Sequence, residues 1–298
     1  MELCNSIVQF LTHEFKLTMN ITSNARDRSA EIDRCLSMIV PSASDESKFV
    51  GMLILPKLLD QNKPEDIERV FKGMNFKFIE RLLRNNQTMD AQVPDPVLKE
   101  IAVNILSCFA HYETLASEPA MADRIPALSR LLVPNQSLTR EILMILLHVA
   151  VKKEGLVRML DPDVLKNVSE VLFQTDQSEE RTACTELMVS VYQRACGLVS
   201  QEKIPSLASA LKYSFSTLLS ILSNALDQDQ KLLKFEALHI LSHVLPAASL
   251  EMMQQVKKEQ SEQKIEGWLD HLLNGIRQLL TSKLRNVIIQ SEKQQQTS

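Results

Sequence analysis

The sequence predicts an all-α protein built as an armadillo- or HEAT-like α-α superhelical repeat array. Three observations carry that expectation. Apolar residues recur at i, i+3, i+4 and i+7 through nearly every segment, without the sustained alternation that a half-buried strand needs. Glycine is scarce, at 6 of 298 residues, and the periodic stretches are broken instead at Lys63-Pro64, Val93-Pro94-Asp95-Pro96 and Leu160-Asp161-Pro162. The third observation is a returning register. Ile125, Leu128, Leu131 and Leu132 reappear as Leu165, Val168, Val171 and Leu172, and again as Ile204, Leu207, Ala210 and Leu211, at intervals of 40 and 39 residues. That interval approximates the armadillo or HEAT period. Ile125-Pro126-Ala127-Leu128 and Ile204-Pro205-Ser206-Leu207 place a proline at the same point, as at the start of an armadillo third helix.

The first expected helix, 3–18, is amphipathic through Ile7, Phe10 and Leu11 and reads as a cap on the array. Helices follow at 28–40 and 45–61, the second opened by Ser44 as a cap with early acids Asp45 and Glu46. Pro56 lies inside that pattern, so a kink or break is expected there. Pro64 with Glu65 and Asp66 suits the first turn of 64–72. Helix 76–85 carries Phe76, Ile79, Leu82 and Leu83, which precede the repeating register by 49 residues, with a loop from Asn85 to Pro94 intervening. Further helices are expected at 95–115, 118–133, 137–152, 162–174, 178–198, 203–226, 229–245 and 264–290. The last bears an apolar stripe from Ile265 through Trp268 and Leu273 to Leu284, and residues near Val287, Ile288 and Ile289 are expected to stay partly uncovered and promote association. Met252 to Lys264 reads as a solvated helix extension or mobile connector. The expected organisation is an N-terminal segment or capping helix at 1–27, a repeat domain at 28–290 and a disordered tail at 291–298.

Composition narrows the function. Lys and Arg total 33 against 37 Asp and Glu, a net charge of −4 with no large block of one sign, so nucleic acid is not an expected partner. Aromatics are 5%, with Trp268 alone and three tyrosines, which leaves few platforms for stacking bases. Cys4, Cys35, Cys108, Cys184 and Cys196 are scattered and odd in number, which favours a reducing compartment over a disulfide framework. Neither a secretory start nor an apolar run of membrane-spanning length is read, so stable membrane insertion is not expected. The sequons at Asn20, Asn86, Asn135 and Asn167 are therefore read as chance.

No catalytic, cofactor or metal site is expected. His239-Ile-Leu-Ser-His243 spaces two imidazoles by one helical turn, as in zinc-binding helices, but it lacks the HExxH glutamate and an obvious third ligand. On so apolar a helix an ordinary structural role is the plainer reading. Asp227-Gln-Asp229 could open a calcium loop, but Leu232 and Leu238 stand where glycine and glutamate are required. The GxGxxG, GxxxxGK[ST] and GxSxG patterns are absent. Cys108 and Cys184 read as small core residues. Cys4 is the one candidate for lipid attachment, beside the amphipathic N-terminal segment, although a lone cysteine is a weak motif and an unmodified thiol is the blander reading.

Four stretches in order carry a resemblance to a known family: VFKGMNFKFIERLL (Val70 to Leu83), VPDPVLKEIAVNILSCFA (Val93 to Ala110), KFEALHILSHVLP (Lys234 to Pro246) and LLNGIRQLLTSKL (Leu272 to Leu284). Met121 to Leu132, with its Asp123-Arg124-Ile125-Pro126 turn, and the weaker Glu31 to Leu59 add to it. The chain resembles the neurochondrin family over roughly residues 31 to 290 and looks like the N-terminal portion of its longer members. The resemblance implies a cytoplasmic, non-enzymatic signalling adaptor with an armadillo-like fold, associated with neurite outgrowth and with receptor and kinase regulation. In neurons it implies cell body, dendrites and neurites. Family members begin with adjacent cysteines suited to lipid attachment, where this chain offers only Cys4.

The expected partners are other proteins or peptides laid along a concave repeat surface. The alternative is a structural segment of a larger assembly with no dedicated peptide groove.

Overall fold

The computed structural model describes residues 25–59, 63–84, 95–202, 204–227 and 230–245, with Ala248, Met252, Gln254, Lys258, Arg277 and Thr281 beyond them. The expected capping helix at 3–18, Cys4, the loop from Asn85 to Pro94, the tail at 291–298 and nearly all of 252–290, including Val287 to Ile289, lie outside the described residues. Among the described residues all regular structure is helical. The chain divides into two compact units, Met1–Leu131 and Leu132–Ser298.

In the first unit α1 (Ala25–Met38) packs on α2 (Asp45–Leu58). Ser44 caps α2 as the sequence suggested, its hydroxyl accepting the Ser47 N–H at 3.2 Å. Pro56 does not break α2, which continues to Leu58. The residue falls in the closing turn, so its missing N–H leaves only the Met52 carbonyl without its helical donor. Met52, Leu55 and Leu58 are buried on either side of it and hold the turn in place. There follow α3 (Pro64–Gly73), α4 (Phe76–Leu83) and α5 (Asp95–Ala110), with Pro64 at the start of α3 as expected. Phe71 meets Phe76 and Phe109 edge to face, each at 5.1 Å, and joins α3, α4 and α5 in one core.

The single helix expected at 118–133 is instead α7 (Pro119–Ala122) and α8 (Ile125–Ser129), and the end of 95–115 separates as α6 (Glu113–Ala116). Pro119 and Pro126 each open a helix because a proline ring cannot follow a complete turn cheaply. Arg124, buried between α7 and α8, bonds the Glu80 carboxylate of α4 at 2.5 Å and lies over the Phe76 ring at 6.0 Å.

The second unit holds α9 (Ser137–Val149), α10 (Lys153–Met159), α11 (Pro162–Gln174), α12 (Ser178–Glu202), α13 (Pro205–Asp227) and α14 (Lys231–Val244). The α10 helix was not expected. Its seven residues are too few to show a helical period, and Gly155 weakens the propensity.

Packing inside this unit is repetitive. The helices α9, α12 and α14 pack in succession, and α11 packs on α13. Polar links join equivalent points of the first series. Arg140 at the start of α9 pairs with Glu179 at the start of α12 at 2.6 Å, and Thr185 on α12 donates to Glu236 on α14 at 2.9 Å. At the far ends Arg194 donates to the Leu147 and Ala150 carbonyls at 3.1 and 3.0 Å, and Gln193 meets His243 at 3.2 Å. Starts lie beside starts and ends beside ends, so the three helices run parallel. That arrangement follows when each repeat is a copy translated onto its neighbour.

The returning register is buried in each unit. Ile79, Leu82, Leu83, Ile125, Leu128, Leu132, Leu165, Val168, Val171, Leu172, Leu207 and Leu211 are all buried, and Phe76, Leu131, Ile204 and Ala210 are half-buried. A three-helix repeat is visible as α9, α10 and α11, and α12 with α13 repeats it with the middle helix absorbed into a longer α12. Each unit is thus an all-α, armadillo-like helical-repeat body.

One polar cluster ties successive repeats of the second unit. Asn135 sits in the left-handed region at φ 64°, a conformation asparagine tolerates better than most side chains. Its amide oxygen accepts the Thr175 hydroxyl and the Asp176 N–H, both at 3.0 Å. Its own N–H donates to Glu180 at 3.0 Å, and the Thr175 hydroxyl also reaches Glu180 at 2.6 Å. Glu180 is fully buried, and Arg181 beside it donates to the Thr175 carbonyl. The Asn135 sequon is therefore a structural clamp whose side chain is already engaged. Asn135→Gly is expected to keep the backbone but lose the clamp, at a cost of about 1–2 kcal/mol. Asn135→Ala should lose about 1 kcal/mol more, through left-handed strain. Denaturant unfolding in which the glycine variant matches the parent would refute the clamp.

Candidate interaction surfaces

The second unit offers two solvent faces, because each series of stacked helices buries one side and leaves the other outward. On the first, α11 exposes Lys166 and Glu170, and α13 exposes Ser209, Tyr213, Ser220 and Asn224. Tyr213 is 60% exposed, more than any other large apolar or aromatic side chain described. Tyr192 makes the contrast: it is fully buried, donates its hydroxyl to the Ser214 carbonyl at 2.9 Å, and burial pushes its hydroxyl pKa up. Sequence reasoning did not single out Tyr213. The signal was available, because Leu207, Leu211, Phe215 and Leu218 form the buried stripe of α13 and Tyr213 falls off it.

The second face is made by α9, α12 and α14, which expose Met144, Glu186, Gln193, Leu232, Phe235, His239 and His243. The histidine pair lies on the surface. The apolar residues of the same helix, Leu233, Ala237, Ile240, Leu241 and Val244, are buried on the opposite side of α14.

The other sequence candidates separate cleanly. Helix α14 begins at Lys231, inside the twelve residues a calcium loop from Asp227 would need, so that segment is not a coordinating loop. Cys184 is buried as expected and its thiol pKa is pushed up by burial. Cys196 is shifted up for the same reason, and such thiols are poor nucleophiles. Cys108, expected in the core, is half-buried on the outer side of α5. The carboxyls held below their ordinary range belong to ion pairs. Asp45 is lowered first by its hydrogen bond from Arg81, which is 2.6 Å away, and Glu80 is lowered first by its bond from Arg124. The first pair joins α4 to α2, and the second joins α4 to the turn between α7 and α8. No helix among the described residues is long and apolar enough to cross a membrane, and no group of three or more His, Cys, Asp or Glu among them could hold a metal ion.

A family model described as Neurochondrin matches residues 26–295. The chain belongs to the neurochondrin family. Mouse neurochondrin is 31% identical over 115 residues, covering 37% of this chain and 15% of the relative. The neurochondrin homolog of Drosophila melanogaster is 23% identical over 269 residues, covering 85% of this chain and 34% of its own length. The chain therefore spans about a third or less of these neurochondrins. Among solved structures, computationally designed armadillo repeat proteins for modular peptide recognition align over 71% of this chain and 99% of theirs, at 9% identity and a TM-score of 0.43.

Proposed function

We propose that this member of the neurochondrin family is a non-enzymatic adaptor that binds other proteins or peptides along the face formed by α11 and α13. The observation that carries the reading is the exposure of Tyr213 on that face. A tyrosine offers a large amphipathic area at the cost of ordering only two torsions, which makes it a frequent anchor of protein interfaces. Lys166, Glu170, Ser209, Ser220 and Asn224 are exposed polar residues of the same two helices, of the kind that suits an interface rim. Helices repeated at fixed spacing present such groups along a line, so an extended peptide or partner helix can be read at intervals.

In this reading the binding face is the concave side of a repeat domain at 28–290, flanked by a capping segment at 1–27 and a tail at 291–298. The protein acts in the cytoplasm, in signalling tied to neurite outgrowth, as family membership suggests, and Cys4 is the site at which lipid attachment would recruit it to a membrane. The face is tested by capture from neuronal extract with the parent chain and with Tyr213→Ser. An exposed substitution leaves the melt unchanged, so the expected result is a shared set of captured proteins that bind the variant roughly 30-fold less tightly, the effect of losing an anchor of about 2 kcal/mol. Equal capture by both chains would remove this face from the proposal.

A further inference from the structure

The geometry points to a labile transition-metal site on α14, formed by the imidazoles of His239 and His243 and suited to Zn²⁺. Independent of the peptide-binding face, it rests on what surrounds the two rings. The side chain of His239 is 44% exposed and His243 is exposed beside it, so an ion can reach both without opening the fold. The ring centres lie 5.0 Å apart. A tetrahedral ion held at about 2.1 Å from one nitrogen of each ring requires a centre-to-centre distance of about 5 Å, so one helical turn already supplies the spacing.

The remaining ring nitrogens have partners. Nδ1 of His239 lies 4.0 Å from Glu236 Oε2, close enough for the carboxylate to take up an outer position beside the ring. Glu236 is itself fixed by the Thr185 hydroxyl at 2.9 Å. Nδ1 of His243 lies 3.2 Å from the Gln193 side-chain amide nitrogen on α12. Rotating that amide by half a turn presents its carbonyl oxygen to Nδ1–H. A proton on Nδ1 of each ring leaves Nε2 with a free lone pair, the tautomer through which an exposed imidazole ligates an ion. Outer partners of this kind orient metal-bound histidines and raise their affinity. With two protein ligands, two positions of the ion stay open to water or to a donor from a bound protein, so the metal exchanges readily.

The absence of a third ligand, which argued against a metal in the sequence, therefore excludes a closed structural site but not an open one. Equilibrium dialysis of the full chain against Zn²⁺, with the His239→Gln, His243→Gln and double variants, tests the site. The parent is expected to bind an equivalent of zinc that is absent from the double variant. Each single variant should bind that equivalent at least tenfold more weakly, and Gln193→Ala should weaken it several-fold with both imidazoles intact. Helicity should be unchanged throughout, since the substituted side chains are exposed. Zinc binding that is the same in the parent and the double variant, or no binding by the parent up to millimolar zinc, would overturn the assignment.

Discussion

Leu172→Asp is expected to destabilise the second unit by more than about 4 kcal/mol, enough to leave it largely unfolded at physiological temperature. Leu172 is at the fourth position of the returning register and is fully excluded from solvent in α11. That helix packs against α10, α12 and α13, so three helices lose a neighbour at once. The substitution removes a buried isobutyl group worth about 2–3 kcal/mol and adds a carboxylate that must be protonated or dragged to water. Lys166→Asp, on the exposed side of the same helix, should move stability by no more than about 0.5 kcal/mol. Thermal unfolding followed by circular dichroism separates the two. If both variants melted with the parent, the register would not be the core.

The second large effect comes from one methyl group. Gly155→Ala places a Cβ 2.2 Å from the Val149 carbonyl oxygen and 3.0 Å from its carbonyl carbon, a clash with backbone that no side-chain rotation relieves. The first turn of α10 has to move away from the end of α9, and a buried overpacking of that kind costs about 3 kcal/mol. Gly197→Ala provides the opposite case in the same unit. It lies within α12 with nothing inside 4 Å of the added atom, so the helix should gain about 0.5–1 kcal/mol from the better helix former. The expected result is a fall in melting temperature for the first variant and a rise for the second. A neutral Gly155→Ala would show that α9 and α10 are not in close contact.

The contrast between these glycines shows where sequence reading stopped. Both lie in stretches with helical neighbours, and composition treats them alike. Which one is required depends on a carbonyl six residues earlier in the chain, brought over it by the turn between α9 and α10. Helix α11 was read correctly to both ends, because Asp161 and Pro162 punctuate its start and the apolar stripe runs unbroken to Leu172. The helix expected at 118–133 is divided, although Met121, Ile125 and Leu128 continue the apolar spacing across Asp123 and Arg124, because Pro126 has no N–H to carry the first helix onward.

What the sequence determined by itself is the part governed by burial of apolar surface. That force is non-directional and roughly proportional to area, so it leaves a period in the chain, and the period revealed the helices, the repeat of about 40 residues and the core register. The exposure of the histidine pair and of Tyr213, the engagement of Asn135 with Thr175 and Glu180, and the contact at Gly155 were decided only by the tertiary structure. Each depends on directed hydrogen bonds, or on two backbones approaching within a few ångströms, between groups brought together by folding. Such geometry leaves no period in the sequence, because its partners lie on neighbouring turns or repeats and only their relative placement makes them meet.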